Sequence, residues 1–176
     1  MSSFGSGIIA LIVSTQGEPV PLIIHPALME YCLQLAMTES LDLNFDLPNE
    51  ELASPAVYPR THSLKLEYFQ GYPQIINIEP FSNYPGAYVT VEDVLRAIHE
   101  DLKLPLLKRE AINFARTEQA AIRAAFNERC KTEEVLSKGP RRIDCLCGRD
   151  KLQIVPRHPV DGAWLPSPTL LPEGFS

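Results

Sequence analysis

Thr90-Val91-Glu92-Asp93-Val94-Leu95-Arg96-Ala97-Ile98-His99-Glu100-Asp101-Leu102 is the stretch on which the fold turns. Thr90 offers a side-chain oxygen and Asp93 follows three residues on, an arrangement that caps the free amides of a helix start. Val94, Leu95, Ile98 and Leu102 recur at the spacing of one helix face, and Pro105 closes the segment. A second helix is expected from Leu107 to Cys130. Ile112, Ala115, Ile122 and Phe126 would form its buried stripe, with Arg116, Glu118, Arg123 and Glu128 toward water.

Upstream the period drops to two. Leu41 to Leu47 alternates apolar and polar residues and stops at Pro48, the pattern of a strand with one buried face. Ser63 to Phe69 repeats it, with Leu64, Leu66 and Tyr68 on one face. Gln70-Gly71-Tyr72-Pro73 supplies a turn, and Gln74 to Glu79 returns with Ile76 and Ile78 inward, which predicts a hairpin. Downstream, Lys138-Gly139-Pro140 breaks the chain. Arg142–Leu146 and Leu152–Val155 then read as a closing hairpin across Gly148-Arg149-Asp150.

Strands, then helices, then strands predict an α+β domain: a mainly antiparallel sheet with two central helices packed on one face. The expected organisation is an N-terminal segment over residues 1–20, read as an extra strand, a single domain over 21–156, and a Pro-rich tail over 157–176. Five prolines, at 156, 159, 166, 168 and 172, punctuate the end of the chain, where no apolar periodicity survives. The tail is expected to pack across the domain through Trp164 and Leu165 or to stay mobile.

Several blocks resemble a known family. They are His25-Pro26 with Leu28, Leu41-Asp42-Leu43, the run from Tyr88 to His99, Leu102 to Leu106, and Arg141-Arg142-Ile143-Asp144-Cys145-Leu146-Cys147-Gly148. Together, over roughly a domain's length from Leu22 to Val155, they are similar to a fungal, basidiomycete-type family catalogued as domain of unknown function 6699. The resemblance implies one α+β domain and brings no reaction, cofactor or ligand with it. Members often carry an aromatic residue or leucine where this chain has Cys145.

Composition narrows the function classes. The formal net charge of −6 argues against a generic nucleic-acid binder. No apolar run reaches the roughly 18 residues of a membrane span. Four cysteines are too few for a disulfide framework, and no Asn-x-Ser/Thr sequon occurs, so a cytosolic setting is expected, the nucleus remaining open. Gly5-Ser6-Gly7-Ile8-Ile9-Ala10 fits a dinucleotide fingerprint in letters only, because the strand that must precede it has no room. A phosphate-binding loop, a nucleophile elbow and an H-E-x-x-H helix are all missing from the sequence.

The remaining candidates are few. Cys145 and Cys147 would share a strand face; with Cys130 and His158 they would make zinc ligands only through tertiary folding, and buried free thiols are the simpler reading. No metal and no cofactor is expected. His25, His62, His99 and His158 are read as capping or surface residues, with His99 on a solvated face beside Glu92 and Lys103. On a strand, Asp144 would share a face with Arg142 and pair with it.

Charge is unevenly placed. Residues 1–128 hold 8 basic and 16 acidic side chains, residues 129–158 hold 8 and 4, and the tail adds two acids. Arg129, Lys131, Lys138, Arg141 and Arg142 would form a basic lip over 129–142 for an acidic or phosphate-bearing ligand, or neutralise acids within the domain. The candidate binding residues are therefore Arg141, Arg142, Asp144 and His25. Two functions remain in view. One is a non-catalytic module that binds an unknown protein partner. The other is a small-molecule binder or enzyme of an undescribed class, using a His/Asp/Arg pocket.

Overall fold

A computed structural model describes residues 8–15, 22–29, 31–32, 45–68, 75–130, 139–147 and 151–156. The strands are β1 (Ile8–Thr15), β2 (Ile23–Ile24), β3 (Tyr31–Cys32), β4 (Val57–Tyr58), β5 (Leu64–Tyr68), β6 (Ile75–Ile78) and β7 (Lys151–Pro156). The helices are α1 (Pro26–Met29), α2 (Asn49–Leu52), α3 (Val91–Lys103), α4 (Lys108–Ala111) and α5 (Arg116–Arg129), with a 3₁₀ turn at Arg142–Leu146.

The fold is α+β. Its main sheet runs β3-β7-β1-β5-β6, and a small second sheet joins β2 to β4. β1 lies at the centre of the main sheet. It pairs antiparallel with β5, with Val13 in register with Leu66, and parallel with β7, with Leu11 in register with Ile154. β3–β7 and β5–β6 are antiparallel. The β5–β6 hairpin turns its faces as expected: Leu64, Leu66 and Ile78 are buried, and Ile76 packs against them.

α3 is built as the sequence dictates. The Thr90 hydroxyl accepts the Asp93 N–H at 3.2 Å, and the Asp93 carboxylate accepts the Thr90 N–H at 2.9 Å. Val91, Val94, Leu95, Ile98 and Leu102 are all buried and pack with Leu64, Leu66 and Ile78 in one core. Full burial of each such side chain stabilises by about 1.5–3 kcal/mol, so the stripe outweighs the cap several-fold. Thr90→Ala is nonetheless expected to lose about 0.5–2 kcal/mol, because the Asp93 N–H loses its acceptor with the hydroxyl while the Thr90 N–H keeps the Asp93 carboxylate. Urea titration of the two proteins measures it, and equal midpoints would show that the cap contributes nothing.

Three expectations need correction. The Leu107–Cys130 helix is two helices, α4 and α5, separated at Ile112–Ala115. The helix is restarted by local chemistry: the Glu118 carboxylate accepts the Ala115 N–H at 2.7 Å, while the Gln119 amide donates to the Phe114 carbonyl at 2.8 Å. Ile122 and Phe126 are buried as the stripe requires, but Ala115 is exposed and Ile112 is 76% exposed.

Arg142–Leu146 is a 3₁₀ turn and not a strand, so no closing hairpin forms. The Asp144 N–H bonds the Arg141 carbonyl and the Cys147 N–H bonds the Asp144 carbonyl, each three residues back. Burial alternates at Arg142, Asp144 and Leu146, so the side-chain pattern imitates a strand that the backbone does not make. The turn ends at Cys147, whose φ of 51° is left-handed. The other half of the expected hairpin, Leu152–Val155, is a strand within β7, and it pairs with β1 and β3 instead.

The third correction concerns Leu41–Leu47. Residues 41–44 lie outside the described residues, and Phe45–Leu47 form a bend that leads through Pro48 into α2. The turn at 70–73, the Lys131 and Lys138 positions and the tail from 157 also lie outside the described residues.

Candidate functional site

The Arg142–Leu146 turn gathers most of the buried charge among the described residues. Arg142 is buried, and its guanidinium reaches two acids from different helices. Nη1 donates to Asp101 Oδ1 on α3, and Nη2 donates to Glu110 Oε1 on α4 at 2.9 Å. Two residues on, Asp144 turns to α5. Arg129 donates to both its oxygens in a two-pronged pair, Nε to Oδ1 and Nη2 to Oδ2, each at 2.8 Å. Arg129 also lies 5.8 Å from the centroid of the Phe126 ring.

Two of these acids, Glu110 and Asp144, do two jobs each. Glu110 accepts the Leu107 N–H at 2.9 Å through its second oxygen, closing the start of α4. Asp144 accepts the Arg141 N–H at 2.7 Å, closing the start of the 3₁₀ turn. Each is the third residue of its element, as Asp93 and Glu118 are of theirs. An acid there satisfies an amide that the helix leaves free and favours the positive end of the helix dipole. The sequence carries that signal at all four positions. Reading it at Glu110 and Asp144 would have revealed the split of the long helix and the turn mistaken for a strand.

The Asp144–Arg142 pair expected on one strand face therefore does not form, since each residue has its partners on other helices. Arg141 is half-buried, and its backbone bridges Pro105. His25 sits away from these bonds. Its Nδ1 accepts the Ala27 N–H at 3.2 Å at the start of α1, and its own N–H donates to the Ala56 carbonyl at 2.9 Å. The described hydrogen bonds thus bring Arg141, Arg142 and Asp144 into one neighbourhood and join His25 to another. Of the basic lip, Arg129 and Arg142 are spent inside the domain.

The two thiols beside Asp144 are half-buried, and the Cys147 thiol donates to the Cys145 carbonyl at 3.6 Å. Burial pushes the Cys145 thiol up to about 12, with Cys147, Asp144 and Glu110 adding to the effect. At neutral pH it stays protonated, the wrong form for a nucleophile or a metal ligand. Among the described residues no group of three His, Cys, Asp or Glu side chains is arranged to hold a metal ion, and no helix is long and apolar enough to cross a membrane.

His99 is the residue sequence reasoning misplaced. It is not on a solvated face but buried, 5% exposed, with the Phe45 ring edge-on at 5.4 Å. Neither ring nitrogen has a hydrogen-bond partner among the described residues. The signal was present, because His99 lies one turn after Leu95 and beside Ile98 on the apolar stripe. Burial, reinforced by Lys103, holds its pKa below the ordinary value of 6.5, so it is neutral in the fold.

The unfolded chain takes up that proton first on acidification. The native state is then at full strength above about pH 7 and weakens as pH falls from 6.5 through the lowered folded value. His99→Leu is expected to remove this part of the acid sensitivity. Denaturant titrations at pH 7.5 and pH 5.5 would show a smaller difference for the variant than for the parent, and equal differences would contradict the assignment.

An outward surface lies on the other side of the same segment. Leu104, Leu107 and Ile112 are 46%, 39% and 76% exposed, and Lys108, Arg109 and Arg116 are exposed around them. The strip is anchored from behind, for the Arg142 N–H donates to the Leu104 carbonyl and the Leu106 N–H to the Pro140 carbonyl, both at 2.9 Å.

Fold and site together define an α+β domain whose central charges knit its helices to one turn. The chain belongs to the family described as Family of unknown function (DUF6699), whose profile matches residues 31–159. Neither a curated protein nor a solved structure matches it.

Proposed function

We propose that this chain is a non-catalytic protein-interaction module. The observation that carries the reading is a contrast in how the charged groups are used. Arg142, Asp101, Glu110, Arg129 and Asp144 are buried or nearly so and hold one another in short ion pairs, an arrangement that fixes a structure. Leu104, Leu107 and Ile112 stand in water beside exposed cations, which is how association surfaces present themselves. A His/Asp/Arg pocket draws no support from bonds that tie His25 to α1 and Ala56. The resemblance to the fungal family suggests a fungal source, and the missing sequons suit the cytosol or nucleus.

Photo-crosslinking in native extract tests the reading. A benzophenone residue placed at Ile112 should yield discrete protein adducts, and one at exposed Glu51 should not. A single metabolite that reproducibly raises the melting temperature, with no adduct at Ile112, would overturn the reading in favour of a ligand-binding or catalytic role.

A further inference from the structure

We propose that the Lys103–Arg116 surface receives a partner segment in which acidic residues are interleaved with large apolar ones; the inference rests on the interaction-module reading and names the partner's chemistry. Five charged residues fall in this segment: Lys103, Lys108, Arg109, Glu110 and Arg116. Glu110 is buried, with one oxygen on Arg142 and the other on the Leu107 amide. Asp101, the nearest acid before the segment, is buried against Arg142 as well.

One internal arginine therefore withdraws Asp101 and Glu110 from the outward face, and Glu118, exposed just past the segment, is turned onto the Ala115 amide. Within Lys103–Arg116 the charge that remains in water is cationic: Lys108, Arg109 and Arg116 are exposed and Lys103 is half-exposed. The chain as a whole carries −6, so this strip is a positive island on an acidic molecule. Such an island steers in a negative partner and repels a positive one.

Charge alone would suit any anion. Leu104, Leu107 and Ile112 narrow the choice, because a free phosphate or a purely acidic tail would leave that apolar surface wet. A segment with alternating acids and leucine-sized side chains satisfies both. An anionic membrane shares these chemistries, but α4 spans only Lys108–Ala111, which is too short to lay an amphipathic face along a bilayer. The partner is accordingly a peptide segment.

Fluorescence anisotropy with the full chain tests this. The probe is a labelled peptide of alternating Leu and Glu, compared with Ser-Glu and Leu-Lys counterparts and with vesicles of anionic phospholipid. Saturable binding of the Leu-Glu peptide is expected, weakening as salt rises because the charges are exposed. Lys108→Glu with Arg109→Glu should weaken it about tenfold or more, and Ile112→Ser about threefold, values ordinary for rim charges and one apolar contact. Arg123→Glu, a single reversal on the exposed face of α5, should change it less than about twofold.

These are surface positions, so melting temperatures should stay near the parent's and keep a folding defect from posing as lost binding. Equal binding of the Ser-Glu or Leu-Lys peptide, or indifference to the Lys108/Arg109 reversal, would overturn the proposal. Vesicle binding with the same dependence on those residues and no peptide binding would overturn it in favour of a membrane surface. An Ile112 photo-adduct with a partner lacking acidic segments would sink the partner class and leave the interaction module standing.

Discussion

Arg142→Ala should destabilise the domain by about 3–5 kcal/mol, the usual result of removing one side of a buried ion pair. Two carboxylates depend on this guanidinium. Asp101 and Glu110 are buried, and each would lose this guanidinium as a counter-ion. A domain of this kind commonly holds only about 5–15 kcal/mol in total, so much of the folded population's margin would go.

Arg142→Lys should recover little of it. One nitrogen of the planar fork serves α3 and the other serves α4, and a single ammonium cannot occupy both positions. Removing the acids as well, in Arg142→Met with Asp101→Leu and Glu110→Gln, should regain a large share, since the dominant penalty is the stranded charge. Denaturant unfolding measures all three. A triple variant no more stable than Arg142→Ala would show that the loss comes from packing instead.

Asp144→Ala should cost a comparable amount, about 3–5 kcal/mol, by the converse route. Arg129 is left in a site where its side chain is only 8% exposed, and the Arg141 amide at the start of the 3₁₀ turn loses its acceptor. Asp144→Asn keeps one oxygen for those donors and should fall between. The turn packs against α5 and this pair joins the two, so hydrogen exchange in Asp144→Ala should quicken first at positions 144 and 147, whose amides hold the turn. Uniform acceleration across α3 and the hairpin would mean that the turn is no separate unit.

What could be read from the residues is what local chemistry decides. Thr90 and Asp93 announce the start of α3, and the alternation at Leu64–Leu66 and Ile76–Ile78 announces the β5–β6 hairpin. Both depend on contacts within or between neighbouring segments. The parallel pairing of β1 with β7 joins opposite ends of the chain, and no periodicity encodes which distant strand a strand will choose. The 3₁₀ turn was misread because alternating burial at Arg142, Asp144 and Leu146 has a strand's period. The deciding information was the carboxylate of Asp144 on the Arg141 amide.

The charged cluster was half legible for a similar reason. Arg142 and Asp144 stood out by composition, but their partners lie 41, 32 and 15 residues away in sequence, and only the fold assigns them. The exposed strip was hidden by the opposite error. Ile112 fits the helical stripe of a continuous Leu107–Cys130 helix, and the break at Ile112–Ala115 is what turns it outward.

Amide chemical-shift mapping of the full chain, titrated with the Leu-Glu peptide, separates a structural charge cluster from a binding one most directly. Shifts confined to Lys103–Ile112, with the amides of Arg142–Cys147 staying in place, are the expected result. Shifts centred on Asp144 and Cys145, leaving Leu107 and Ile112 untouched, would mean that the buried pairs open to receive a ligand and that the outward strip is bystander surface.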